Sequence, residues 1–386
     1  MKNKIFVLII INFIFSLRMI GSYTIFSAFA FYGHNLSNSN DFLIGIAIGI
    51  YNLSQAIFQI PFGVLSDFVG RKKTILICLI IFFFGNFLNS FFKNIWIIIF
   101  GRFIQGLAAV SSTCMALIID YFGKNFYKII PIIGVNLFIT FLISNSIGPY
   151  IAYLFGLNGV FFFISILSLF CIFLSYFFLP NTKNKCNNFK NVKNIIKNIY
   201  SFKLFLLYSN LFFLHFVLSF NLFFFPKIIL NTKFFSHKIW ILIFVFSFFV
   251  SLIFIYIILK IKHLVNLLKL IFMIIILMFF SEIFLFSLKN IFYYFIFIFI
   301  FIVIFSILEV LFPLFFKNNS SFDKKGSIIG IYSFYQFLGS SLGSILSSWF
   351  FLLFNLNNIF LFIFIIFLVW IISFLIYVKL ENSDFL

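Results

Sequence analysis

The sequence predicts an all-α membrane protein with twelve transmembrane helices arranged in two six-helix bundles. The chain of 386 residues is 64% hydrophobic and only 9% charged, whereas globular proteins carry about 25% charged residues. Apolar runs of about 20 residues, enough for an α-helix to cross the hydrocarbon layer, recur from end to end. A polar segment near the middle divides these runs into two sets. This composition excludes a soluble enzyme.

Each apolar run is predicted to be a helix, because a backbone in lipid must satisfy its own hydrogen bonds. The first run resembles a signal peptide, but Arg18 interrupts it and it is long enough to span. We therefore interpret it as an uncleaved first helix. The predicted spans of the first half are residues 5–31, 42–65, 74–92, 95–122, 127–155 and 158–179. Those of the second half are residues 203–230, 239–260, 266–288, 291–316, 326–352 and 357–379.

The longest connection between spans predicts a domain boundary. Residues 180–202 are polar and basic, and they separate an N-terminal bundle, residues 1–179, from a C-terminal bundle, residues 203–386. Two such units joined by a linker are typical of transporters built from repeats, whose substrate site lies at mid-membrane between the units. Topology and solubility explain the charge of the linker, and contact with anionic lipids is the alternative.

The distribution of basic residues predicts the orientation in the membrane. With the N-terminus in the cytoplasm, 20 of the 27 Lys and Arg residues fall in cytoplasmic segments and five in outer segments, as the positive-inside rule requires. An even number of spans places the C-terminus on the same side. The net charge is +19, but the basic residues form no continuous face with interleaved aromatics, so nucleic acid is not an expected partner.

A charged turn between the second and third spans, GVLSDFVGRKK at residues 63–73, stands out in so apolar a chain. Gly63 would let the second helix approach a neighbour closely, and Gly70 suits the left-handed backbone of a tight turn. Asp67 is an anion suited to a helix N-terminus. The eleventh span offers such an N-terminus near residue 326.

A second carboxylate is expected beside this turn. The fourth span returns to the same side of the membrane and ends near Asp120. Because the chain has only eight acidic residues, we expect Arg71 to lie between Asp67 and Asp120. The alternative is that the turn only sets topology and packing.

Three stretches resemble signatures of the major facilitator superfamily. The charged turn matches the loop signature of this family, GRFIQGLAAV in the fourth span matches its second signature, and SNSIGPY in the fifth span resembles part of its antiporter signature. Residues 15–21, 44–67 and 331–339 are similar to bacterial inner-membrane members of the drug-efflux type. The matching signature residues are Gly63, Leu65, Ser66, Asp67, Gly70, Arg71, Lys72, Arg102, Gln105, Gly106, Gly148 and Pro149.

The resemblance implies a multi-pass transporter of the bacterial inner membrane that moves a small molecule by alternating access. Proton-coupled efflux by an antiporter is the expected mode, and an uncoupled facilitator or channel is the alternative. The resemblance also implies that Gly63, Asp67, Gly70, Arg71 and Asp120 form a cytoplasmic latch, which holds the two halves together in the outward-open state. A small solute, protons and membrane lipids are the expected partners of a monomer.

Acidic residues inside the spans are candidates for coupling, because an ionisable group in lipid is costly and marks a pathway by default. Glu309, in the tenth span, is the first candidate for a proton carrier, since burial disfavours the charged form of a carboxyl group. Glu282, in the ninth span, lies nearer the outer end. A structural polar contact is the alternative for both.

Basic and polar residues inside the spans are candidates for the cavity. Arg18 and Arg102 either line a central cavity or bind carbonyl groups of neighbouring helices. Gln105 shares the helix and the signature of Arg102. His215, in the seventh span, either joins the cavity or is a satisfied core histidine. Two cavity arginines against few acids would favour an anionic or neutral substrate.

The sequence contains no signature of catalysis. It has no phosphate-binding loop of the Walker type and no cluster of His, Asp and Glu at one membrane interface, and its four cysteines show no CxxC pairing. We therefore expect a protein that is not an enzyme and that holds no cofactor or metal.

Overall fold

The computed structural model describes residues 2–123, 126–181, 202–230, 237–261, 266–287, 291–318, 325–354 and 356–383. These residues contain no β-strand, only an isolated bridge between Ser37 and Asn94. A short 3₁₀ helix, Gly33–Asn35, follows the first α-helix. The α-helices are α1 (Lys2–Tyr32), α2 (Asp41–Val69), α3 (Arg71–Phe91), α4 (Ile95–Leu107), α5 (Val110–Phe122), α6 (Phe126–Phe178), α7 (Phe202–Leu230), α8 (His237–Ile261), α9 (Leu267–Ser287), α10 (Ile291–Asn318), α11 (Lys325–Leu353) and α12 (Leu356–Ser383).

Helix α6 consists of two antiparallel spans that reverse direction at Gly156, where the backbone is not helical (φ 70°, ψ 178°). The first part of α6 runs parallel to α1, and the second part runs along α1 in the opposite direction. The contacts with α1, in the order of α6, are Asn136 with Ser16, Gly148 with Thr24, Phe161 with Phe29, and Phe178 with Phe6. Only Gly adopts this positive-φ, extended backbone readily, so the reversal needs no separate loop.

The number of membrane crossings follows from this reversal. Eleven helices in the described part are long and apolar enough to cross a membrane. One of them, Ile132–Phe178, has 47 residues, which at 1.5 Å per residue is about 70 Å and more than twice the thickness of the hydrocarbon layer. Because it folds back at Gly156, it supplies two crossings. The prediction of an all-α membrane protein with twelve spans is thereby confirmed.

The fourth span is interrupted, whereas the sequence predicts one continuous helix over 95–122. Ala108 and Ala109 have φ, ψ of −72°, 61° and −75°, 64°, the values of inverse γ-turns. Accordingly, the amide of Ala109 donates to the carbonyl of Leu107, and that of Val110 to Ala108, both at 2.8 Å. The prediction of a continuous helix is wrong here, because an apolar run does not reveal a local change of backbone conformation.

Both chain ends lie on one face of the bundle. Lys203 at the start of α7 pairs with Glu381 at the end of α12, at 2.8 Å. Lys227 near the end of α7 contacts His34, just beyond the end of α1, so α1 and α7 run in the same direction. We call the face with the helix ends at Lys4, Val69 and Glu381 the terminal face, and the opposite face the distal face.

The two halves, α1–α6 and α7–α12, meet along a seam of small residues between α2 and α11. From the distal face inwards, Gly45 faces Ser348, Gly49 faces Ser344, and Asn52 donates to Ser340 at 3.0 Å. Small side chains let two helix backbones approach closely in a membrane. Further contacts join α1 to α7, α5 to α11, and α6 to α8 and α10. Residues 182–201 of the predicted linker lie outside the described part, and the exact domain boundaries stay a prediction.

Large apolar side chains cover the outer surface of the bundle. Phe155, Phe284 and Tyr256 are about two-thirds exposed or more, and many other Phe, Ile and Leu side chains share this exposure. A surface so apolar is stable only against lipid or another protein. The protein is therefore a multi-pass membrane protein.

Candidate functional site

A central cavity lies between the two halves, about midway along the spanning helices. The first half contributes side chains from α1, α2 and α6, and the second half contributes side chains from α7, α10 and α11. The empty space between them is about 400 Å³, including the part that opens to solvent. The lining residues are Arg18, Met19, Ser22, Tyr23, Asn52, Leu137, His215, Glu309, Gln336, Phe337 and Ser340. Three of the ionisable residues singled out in the sequence, Arg18, His215 and Glu309, therefore share one cavity.

The wall from the second half carries a compact group of three polar side chains. Gln336 Nε2 donates to Glu309 Oε1 at 3.1 Å and lies 2.8 Å from His215 Nε2. The same His215 nitrogen lies 3.1 Å from Glu309 Oε2. When this nitrogen is unprotonated it accepts from the amide of Gln336, and a protonated ring would form an ion pair with the carboxylate. His215, Glu309 and Gln336 therefore form one contact group on this wall of the cavity.

The wall from the first half carries Arg18, which is only 9% exposed. Its guanidinium lies 5.0 Å from the ring centre of Phe337, and one terminal nitrogen is 3.5 Å from the sulfur of Met19. Its Nε is buried without a hydrogen-bond partner among the described residues. Arg18 thus places a positive charge at the cavity without an ion pair in the described part of the chain.

Arg102 and Gln105 do not line this cavity. Arg102 donates from Nε to the carbonyl of Ala47 at 3.1 Å, and from a terminal nitrogen to the carbonyl of Gly21 at 3.0 Å and to Gln105 Oε1 at 2.7 Å. It also stacks 4.3 Å from the ring centre of Tyr51. Of the two alternatives for the arginines, Arg18 faces the cavity and Arg102 ties α1, α2 and α4 together.

Glu282 also lies away from the cavity. It is buried in α9 and accepts a hydrogen bond from Asn221 of α7, entirely within the second half. It is therefore directed toward α7 and not toward the first half, so the sequence grouping of Glu282 with the cavity and coupling residues is not matched by its position. Glu309 is therefore the candidate acid that the structure brings to the interface between the halves.

The charged turn at the terminal face forms a cluster around Arg71. This residue begins α3, contacts Asp67 and Ser66 at the end of α2, and donates from Nε to Asp120 Oδ2 of α5 at 3.1 Å. Gly70 has φ 101°, a conformation that favours Gly and that lets α3 follow α2 directly. The sequence expectation for the placement of Arg71 agrees with this geometry.

Two expectations for the charged turn concerned Gly63 and the contact of Asp67 with α11. The first differs from the structure, and the second lies outside the described part. A Cβ built on Gly63 would meet Ser112 at 3.5 Å, an ordinary contact, so close helix approach does not require Gly at this position. The predicted neighbour of Asp67 is the N-terminal end of α11. The described part does not include residues 319–324 or the side chains of the first turn of α11. The predicted contact between Asp67 and this helix end therefore lies outside the described part.

A second ionic cluster, which the sequence did not single out, joins the halves at the distal face. Lys227 of α7 donates to Asp41 at the start of α2. Asp41 Oδ1 also lies 2.9 Å from His34 Nε2, and Lys227 Nζ lies 2.7 Å from the same nitrogen. The side chain of Lys227 is only 6% exposed. The charge count assigned Lys227 to an outer segment, but no sequence signal links residues so far apart.

Comparisons with known proteins agree with this architecture. The family model of the Major Facilitator Superfamily matches residues 11–344. An uncharacterized transporter of Buchnera aphidicola subsp. Acyrthosiphon pisum is 38% identical over 342 residues, 86% of each chain. The inner membrane transport protein YajR of Escherichia coli K12 is 33% identical over 359 residues, 90% of this chain and 78% of YajR.

Similarity to solved structures extends over nearly the whole chain. The crystal structure of a D-xylose–proton symporter superposes with a TM-score of 0.72 at 15% identity, covering 96% of this chain and 95% of the symporter. At this identity the likeness shows the fold alone. The family model and the two relatives show more, and the protein is a transporter that belongs to the major facilitator superfamily.

Proposed function

We propose that the protein moves a small solute across the bacterial inner membrane by alternating access, as a monomer with both termini in the cytoplasm. The observation that supports this proposal is the central cavity, because both halves build it and it contains ionisable side chains from each. A site at the interface of two bundles changes its exposure when the bundles rock against each other. A solute bound there is exposed first to one face and then to the other.

We propose further that Glu309 and His215 carry the coupling proton. The two side chains are 3.1 Å apart and Gln336 contacts both, so a proton can move between them without leaving the cavity. Alternating access exposes this pair first to one face of the membrane and then to the other. Protonation from one side and release to the other would drive efflux of the solute by antiport.

The runner-up function is an uncoupled facilitator, and flux measurements separate the two. A solute is first identified by thermal stabilisation of the purified protein, since a bound ligand raises the melting temperature. The protein is then placed in proteoliposomes. Solute flux and internal pH are then recorded together. Coupled transport predicts that a solute gradient drives proton movement in a fixed ratio. Solute flux without any proton movement would support the facilitator.

The distal cluster is proposed to close the distal face, and the variant Lys227→Met tests this. The substitution removes a charge-assisted contact with Asp41 worth about 1.5–3 kcal/mol. Because 1.4 kcal/mol corresponds to about tenfold in a population, we expect labelling of a Ser340→Cys reporter from the distal face to rise about tenfold. The matched control is Lys93→Met, an exposed lysine on the same face. Equal labelling in both variants would contradict the gate.

The cluster around Arg71 is proposed to act as the latch at the terminal face, and the variant Asp67→Asn tests this. The two carboxylate partners of Arg71 lie in the first half, so the latch requires Asp67 to act also on the N-terminal end of α11. The amide keeps the shape of the side chain but loses the charge for both contacts. We expect transport to fall by about tenfold or more, with normal membrane insertion. The matched control is Lys73→Gln in the same turn, where the side chain is exposed. Full transport by Asp67→Asn would refute the latch.

A further inference from the structure

We propose that the central cavity accepts a solute with a single acidic group, which binds to Arg18. This inference rests on the proposed transport function and adds the chemical class of the solute. It applies to carboxylates and to phosphonate or sulfonate groups alike, since a guanidinium binds each of them through two parallel hydrogen bonds.

The first observation is the difference between the three arginines of the chain. Arg71 has two carboxylate partners. Arg102 has one terminal nitrogen that is buried without a partner in the described part of the chain, but its other donors reach two backbone carbonyls and the oxygen of Gln105. Arg18 is buried to a similar degree. Yet the guanidinium of Arg18 contacts a sulfur atom and an aromatic ring in place of oxygen acceptors, and its Nε has no hydrogen-bond partner in the described part of the chain.

The second observation is the position of Arg18 at the cavity. A buried cation is costly in a membrane unless it is paired or directed to a pathway, and Arg18 lines the central cavity between the halves. The missing partner is therefore expected to enter with the solute. An anionic group supplies both the opposite charge and the hydrogen-bond acceptors that the guanidinium lacks.

The opposite wall limits the solute to one acidic group. Glu309 already accepts from Gln336 and lies beside His215, so a second anion at that end would meet a carboxylate. The remaining polar groups are the hydroxyls of Ser22 and Tyr23 on the first half, and the amide of Asn52 and the hydroxyl of Ser340, which bond to each other at 3.0 Å. These groups suit neutral hydroxyl or amide functions on the rest of the solute.

The electrostatic preference of the cavity can be measured without knowing the solute. Ser22 lies one helical turn from Arg18 and lines the same cavity. A Ser22→Cys reporter is made in full-length protein whose cysteines at 78, 114, 171 and 186 are replaced by Ala. It is reacted with an anionic sulfonatoethyl and a cationic trimethylammonioethyl methanethiosulfonate. In both reactions the thiolate forms a mixed disulfide and methanesulfinate leaves, so the ratio of the two rates cancels the reactivity of the thiol.

The measured quantity is the rate with the anionic reagent divided by the rate with the cationic reagent. We expect this ratio to be about tenfold higher for the Ser22→Cys protein than for a free thiol in solution. The preference should reverse in Arg18→Gln, where Glu309 is the remaining charge at the cavity, and persist in Arg18→Lys, which keeps the charge. A cationic or absent preference in the Ser22→Cys protein itself overturns the inference, whether or not Arg18→Gln folds. No labelling by either reagent from either face contradicts alternating access instead.

Protection by solutes of one skeleton then identifies the acidic group. Benzoate, benzenesulfonate, phenylphosphonate, benzamide and benzylamine are compared as competitors of labelling. Protection by one or more of the three anions, lost in Arg18→Gln, supports the inference and distinguishes carboxylate from the other acids. Stronger protection by benzylamine or benzamide than by the anions overturns it, while leaving the transport function intact.

Discussion

Replacing Glu309 with Gln is expected to abolish proton-driven accumulation of the solute while leaving solute binding and exchange in place. A pH difference of one unit supports about tenfold accumulation for each proton exchanged. Gln cannot exchange a proton, so the accumulation ratio in Glu309→Gln should fall to about one, and the dependence of transport on pH should flatten. The measurement is solute uptake into proteoliposomes with and without an imposed pH gradient.

Glu282→Gln is the matched control for this prediction, because it makes the same chemical change at a carboxyl group that contacts Asn221 within the second half. We expect Glu282→Gln to retain gradient-driven accumulation. If Glu282→Gln loses coupling and Glu309→Gln keeps it, the assignment of the proton carrier is wrong.

Replacing Gly45 with Leu is expected to stop transport by preventing closure of the distal face. A Cβ built on Gly45 overlaps the side chain of Ser348 and lies 2.9 Å from the carbonyl oxygen of Ser344, so the seam between α2 and α11 cannot form as observed. Overpacking of about 3 kcal/mol corresponds to about 100-fold in the population of the closed state. Transport should fall by a similar factor.

Gly134→Leu provides the control for the seam, because no atom lies within 4 Å of a Cβ built there. It should transport normally. For Gly45→Leu we also expect faster labelling of the cavity from the distal face, since the protein folds but cannot close on that side. If Gly45→Leu does not fold, the substitution has disrupted the structure and does not test closure. If it folds and transports normally, the seam between α2 and α11 does not control closure of the distal face.

Much of the architecture is predictable from the sequence because lipid imposes a simple rule on length and polarity. Apolar runs of membrane-spanning length mark the helices, and the scarcity of acidic residues is enough to suggest that Arg71 lies near Asp120. The reversal at Gly156 also falls between the two predicted spans, although a single helical segment covers both. The break at Ala108 escapes prediction, because alanine has the highest helix propensity and nothing in this apolar run marks an interruption.

The division of roles among the buried charges is not predictable from the sequence. Arg18 and Arg102 are the same residue type in similar apolar runs, and the rotation of each helix decides which one faces the cavity. The same holds for Glu282 and Glu309. The contact of Lys227 with Asp41 joins residues 186 positions apart, and only the packing of α7 against the first half brings them together.

We expect the two halves to rock about the cavity and to open it to one face at a time. Distances between spin labels measure this directly, with one pair at Lys93 and Phe354 on the distal face and another at Lys73 and Lys379 on the terminal face. Alternating access predicts two distance populations for each pair, with the distal distance short whenever the terminal distance is long, and a shift between them when pH or solute changes. Distances that stay fixed, or that lengthen together on both faces, would contradict it.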